Sequence, residues 1–128
     1  MNNCIFCSLA NEKDICLSEN ELFWSCFDDQ PVTNGHALVI PKRHLDSFFD
    51  LSNEEIKAAY DLIKKVKDII DKKHHPDAYN IGINNGQVAG QTILHLHIHI
   101  IPRYVGDVAN PTGGVRNVIP KKGTYLKE

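Results

Sequence analysis

From Leu94 to Ile100, apolar and imidazole side chains alternate without a break: Leu94-His95-Leu96-His97-Ile98-His99-Ile100. A period of two is that of an extended strand. It sends His95, His97 and His99 to one face of a sheet and Leu94, Leu96, Ile98 and Ile100 to the other. Successive imidazoles then stand roughly 6.6 Å apart by strand rise. Three such rings can meet different atoms of one extended polyanion, but they cannot easily share one metal ion. A single histidine on such a face is usually only a polar surface residue. Three in phase, preceded by the turns Asn84-Asn85-Gly86 and Gly90-Gln91-Thr92 whose backbone amides suit anions, point to phosphate.

The elements around this strand follow from shorter signals. Ser52-Asn53-Glu54-Glu55 is a capping box, so a helix starts there. Ile56, Ala59, Tyr60, Ile63, Val66 and Ile70 recur at helical spacing until His75 precedes Pro76 and ends it. The apolar segments 22–27, 37–40, 79–83 and 94–101 are short and bounded by Gly, Pro, Asn and Asp, as strands are. The tail from Gly106 reads as loop with one short edge strand. The expectation is an α+β fold: an antiparallel sheet of about five strands with one long amphipathic helix packed on it.

With 128 residues, 42% of them hydrophobic, the chain suits a single domain over 1–128. No run of about 18 apolar residues exists, and Met1-Asn2-Asn3-Cys4 does not begin like a signal peptide, so a cytoplasmic protein without a membrane partner is expected. A formal charge of −2 with scattered basic residues argues against a nucleic-acid partner, so phosphate must be held locally. Cys4 and Cys7 form a C-x-x-C pair, which alone reads equally as zinc ligands, a redox pair or two buried thiols. Cys16 and Cys26 read as buried small residues.

The sequence from His95 to Ile101 resembles the signature of the histidine-triad superfamily. The likeness extends over Asn34-Gly35-His36, Pro41-Lys42-Arg43-His44, Asp28, Gly90-Gln91-Thr92 and Pro102-Arg103, from Cys4 to Arg103. It implies a HIT-like fold and a hydrolase or transferase acting at the α-phosphate of a purine nucleotide conjugate, a dinucleoside polyphosphate or a nucleoside phosphoramidate. In that family's pattern His97 is the nucleophile that becomes nucleotidylated. His36 and His99 flank the phosphate, Gln91 and Thr92 add donors beside it, Asp28 takes the ribose hydroxyls and Asn84 lies near the leaving group. Phe6 and Leu9 match the base slot. By their residue types alone, Phe6 and Leu9 are equally core packing and Asn84 equally a turn residue, while for Asp28 a turn is the lesser alternative. Cys26 and Asp29 depart from the family, which often has an aromatic and an aliphatic residue there.

Some bacterial members complete a structural zinc site with Cys4, Cys7, His44 and His95, as positions are numbered here, and the resemblance also implies a homodimer. Two other readings compete: a module that binds or senses purine nucleotide without turnover, and a metal-binding protein. The second leaves His36, His97 and His99 unexplained.

Overall fold

A computed structural model describes residues 4–124; the first three and last four positions of the expected domain lie outside the described residues. A short helix, α1 (Ile5–Leu9), comes first. Then follow β1 (Phe23–Phe27), β2 (Ala37–Pro41), the long helix α2 (Asn53–His74), β3 (Ala78–Gly82) and β4 (Ile98–Arg103). The strands form one antiparallel sheet in the spatial order β1-β2-β4-β3. The α+β expectation holds.

The start of α2 is the capping box that the sequence announces. The Glu55 amide donates to the Ser52 hydroxyl at 3.1 Å, and the Ser52 amide donates to the Glu55 carboxylate at 2.9 Å. At the other end His75 takes the left-handed conformation at φ 53° before Pro76. The buried stripe is Glu55, Ala59, Leu62, Val66 and Ile70, whereas Ile56 and Tyr60, expected inside, are 39% and 59% exposed. The first turn explains the rotation. Arg43 donates from Nη2 and Nε to the two oxygens of Glu55 at 2.9 and 3.1 Å, holding Glu55 inward and turning its neighbours out.

The sheet separates two apolar layers. Leu62, Val66 and Ile70 pack on Phe23, Ala37, Val39, Ile98 and Ile100, and full burial of each of these side chains other than Ala37 contributes about 1.5–3 kcal/mol. On the opposite face Trp24, Leu38 and Ile40 gather with Cys26 under Phe6 of α1. That second layer carries the histidines.

Two expectations need correction. Among the described residues the sheet has four strands, not about five. The tail forms a 3-10 turn at Gly114–Val118 beside β3, because Gly113 and Gly114 both take positive φ (92° and 47°) directly after Pro111 and Thr112. The histidine strand is also shorter than its alternation suggests. β4 begins only at Ile98, and the Leu96 amide donates to the Leu45 carbonyl at 2.7 Å, outside the sheet. Leu94 is 50% exposed and His95 1% exposed, the reverse of the pattern, because His95 is drawn inward by polar partners described below. Among the described residues, no helix is long and apolar enough to cross a membrane.

Candidate functional site

Register brings the first two histidines together. β2 and β4 pair with Leu38 opposite His99, and His36 immediately precedes β2. His36 Nε2 lies 3.0 Å from His99 Nδ1. The Val32 amide donates to His36 Nδ1 at 3.1 Å, so that nitrogen holds a lone pair and the proton of neutral His36 is on Nε2. It is donated to His99 Nδ1, which leaves the proton of neutral His99 on Nε2 as an outward donor. Burial lowers the pKa of both: His36 falls below its ordinary value despite Asp28 nearby, and His99 falls to about 4, with His97 and His36 adding to burial. Both rings are neutral at pH 7. Asp28, His36 and His99 bring one potential ligand atom each within 4.8 Å. A cation there would need a lone pair on the same Nε2 that the Val32 bond obliges to carry the proton, so this trio is a hydrogen-bonded cluster.

His97 has the complementary arrangement. Its Nδ1–H donates to the His95 carbonyl at 2.9 Å, which leaves Nε2 with the lone pair. The ring is half-buried, with Phe6 at a centroid distance of 4.9 Å and His99 edge-on at 5.0 Å. In this tautomer of the neutral ring the Nε2 lone pair stands beside the donor His99, the pairing needed to attack an electrophilic centre whose oxygens acquire negative charge.

His95 faces the other way. Its Nε2–H donates to the Pro41 carbonyl at 2.9 Å, so its Nδ1 holds a lone pair. That Nδ1 lies 3.3 Å from Cys4 Sγ, 3.4 Å from Cys7 Sγ and 3.2 Å from His44 Nδ1, and Cys7 Sγ is 3.3 Å from His44 Nδ1. Cys4 caps the N-terminus of α1 and Cys7 follows one turn later, which puts both thiols on one side of the helix. Two sulfurs and two imidazole nitrogens converging at these separations fit a tetrahedral ion with bonds of about 2.0–2.3 Å. The donor set suits zinc. Four protein ligands leave no open position, so an ion here would be structural.

A HIT domain model matches residues 10–106. The chain belongs to the HIT family. It is 41% identical over 106 residues to an uncharacterised HIT-like protein of Methanocaldococcus jannaschii, covering 81% of each chain. Over 103 residues it is 40% identical to the adenosine 5′-monophosphoramidase of Schizosaccharomyces pombe, covering 79% of this chain and 74% of that one. In structure it is similar to a zinc-bound histidine triad family protein from Mycobacterium smegmatis, with a TM-score of 0.74 and 34% identity over 84% and 80% of the two chains.

The remaining positions singled out by the HIT resemblance are placed as follows. Asp28 is partly exposed at the end of β1; its Oδ1 accepts from the Gln30 amide at 2.9 Å and its Oδ2 lies 3.6 Å from His36 Nε2. It is both a turn residue and a carboxylate at the edge of the histidine cluster. Asn84 lies against Gly90, and Thr92 is exposed. Gln91, expected to meet the nucleotide, is instead buried: its Oε1 accepts from the Gly86 amide at 2.8 Å and its Nε2 donates to the Asp46 carbonyl at 3.0 Å. Its side chain shapes the loop. Phe6 and Leu9 belong to the second apolar layer, and Phe6 in addition touches His97. Cys26 is buried and its thiol is pushed up to about 12 by burial and by Asp28, which makes it inert.

Three contributors are absent from the sequence reading. The Val32 amide and the Pro41 carbonyl fix two tautomers, and backbone groups leave no mark in side-chain patterns. Asn85 anchors the loop by accepting from the Phe48 amide at 2.6 Å. The signal was present in Asn84-Asn85-Gly86, but which amide faces inward depends on the turn.

Proposed function

We propose that this protein hydrolyses, or transfers the nucleotidyl group of, purine nucleotide conjugates by attack of His97 at the α-phosphorus. The observation that carries this is the tautomer of His97, held by its Nδ1–H bond to the His95 carbonyl with Nε2 left as a lone pair. Nε2 forms a bond to phosphorus while the bond to the leaving group breaks, giving a nucleotidyl-histidine. The leaving group departs with its electron pair and takes up a proton. Water then attacks the phosphorus, the P–N bond breaks, and His97 is regenerated. His99 supplies a neutral N–H to the phosphoryl oxygens, and His36 holds His99 in the tautomer that can do so. Asp28 accepts the ribose hydroxyls, Asn84 and Thr92 stand on the phosphate side, and the base rests against Phe6 and Leu9.

The phosphoramidase among the relatives supports a nucleoside phosphoramidate as substrate, and a dinucleoside polyphosphate is the other candidate. Zinc bound by Cys4, Cys7, His44 and His95 would pin α1 to the sheet. The domain spans the chain, acts in the cytoplasm and pairs with a second copy through the exposed Ile56 and Tyr60 of α2.

Labelled substrate, quenched rapidly without acid, tests the mechanism. A nucleotide should remain on wild-type protein, be released by acid but not by base, and map to His97. His97→Ala should still bind AMP and lose more than about 100-fold in kcat, or about 2.7 kcal/mol in the barrier. Retention of more than that activity would replace covalent catalysis with direct attack by water.

A further inference from the structure

We propose that the thiol-imidazole site is a positioning device for His97, and that Phe6 is the positioning residue that transmits its state. This rests on His97 being the nucleophile, as proposed above. Two physical links run from the site to that ring. The first is through the chain: His95 turns its Nδ1 to the thiols and its Nε2–H to the Pro41 carbonyl, and its own carbonyl accepts the His97 Nδ1–H at 2.9 Å. A tilt of His95 therefore moves the acceptor that selects the reactive tautomer. The second link is through packing: Phe6 lies between the two thiols in sequence, 4.9 Å from the His97 ring and 5.9 Å from the His95 ring, centroid to centroid.

The helix that carries Phe6 cannot hold this position by itself. α1 is five residues long, well below the length at which a helix is stable alone. Its N-cap Cys4 makes no side-chain cap bond, and no acidic residue occupies its first turn. What fixes it is the burial of Phe6 and the convergence of Cys4 and Cys7 on His44 and His95. An ion shared by those four residues ties α1, the segment after β2 and the approach to β4 together at one point. Released, α1 and the Phe6 ring can shift. A displacement of about 1 Å near reacting groups is enough to cost about 100-fold in rate. Asp28 and the His36–His99 pair hang from β1, β2 and β4, so the ribose and phosphate contacts survive the release while the base loses support from Phe6 and Leu9. The metal-free protein becomes a nucleotide binder with little turnover.

The test uses full-length protein loaded with zinc, the same protein stripped by chelation, and zinc-loaded Phe6→Leu. Three quantities are read: kcat on adenosine phosphoramidate, Kd for AMP by calorimetry, and the His97 tautomer from long-range ¹H–¹⁵N spectra of labelled histidine. Stripping should lower kcat by about 10-fold or more, weaken Kd by a smaller factor than it lowers kcat, and turn a single Nδ1–H tautomer of His97 into a mixture. Added zinc should reverse all three. Phe6→Leu, with zinc retained, should likewise lower kcat and mix the His97 tautomer, with some weakening of Kd because Phe6 also supports the base. An unchanged tautomer and kcat in folded, stripped protein would overturn the proposal, as would failure of the wild-type chain to take up zinc. If stripped protein unfolds, Phe6→Leu decides alone: wild-type kcat and tautomer in that variant refute the link. Absence of turnover in loaded wild-type protein would refute the proposed function, and the tautomer readout would still judge the coupling.

Discussion

Acid should destabilise this protein in part through His99. The ring accepts a hydrogen bond at Nδ1 from His36, whose own proton is held at Nε2 by the Val32 amide. A second proton on His99 would set two N–H groups facing each other at 3.0 Å in a half-buried site. Burial first, and the neighbouring His97 and His36 next, depress its pKa from 6.5 to about 4. The unfolded chain therefore binds the proton more readily, and stability falls as pH drops from about 6.5 toward 4. With those two values, His99 alone removes at most about 2 kcal/mol between pH 7.5 and pH 5.0. Urea unfolding of ligand-free wild type and His99→Gln at pH 7.5, 6.0 and 5.0 measures it. Gln can still accept from His36, and any loss of metal at low pH is common to both proteins. The wild-type curve should fall more steeply, by up to about 2 kcal/mol at pH 5.0. Parallel curves would mean that His99 titrates normally and that the neutral, outward-donating tautomer assigned to it is wrong.

Other expectations are more local. Asp28→Ala should abolish any preference for ribose over 2′-deoxyribose in nucleotide Kd; an unchanged preference would remove Asp28 from the site. Leu62→Ala, at the centre of the α2 face, should cost about 2–5 kcal/mol in chemical denaturation without changing the AMP-bound spectrum of the histidines. Gln91→Ala should speed hydrogen exchange at the Gly86 amide, whose acceptor it removes, and cost about 1–3 kcal/mol; unaltered exchange there would show that the loop does not depend on this side chain.

The legible parts of this fold are those where one local interaction decides the outcome. Ser52 and Glu55 define a helix start by themselves, and Pro76 ends it. The rotation of α2 was not legible, because it depends on Arg43 gripping Glu55 across 12 residues. Alternation identified the histidine face but overran it at Leu94 and His95, since a period of two continues in sequence whether or not the backbone stays in the sheet. α1 was too short to show any period. In the site, family likeness named the residues and implied a backbone carbonyl acceptor for His97, while the particular backbone groups of Val32, Pro41 and His95 that choose the tautomers became visible only in three dimensions.

The four residues that could hold a metal ion span Cys4 to His95, 91 positions later. During synthesis at about 5–20 residues per second, roughly 5 to 20 seconds separate the two. For that interval the thiols, joined later by His44, are present in the growing chain while His95 does not yet exist. The nascent chain is then at its most open to exchange with other metal ions and to oxidation.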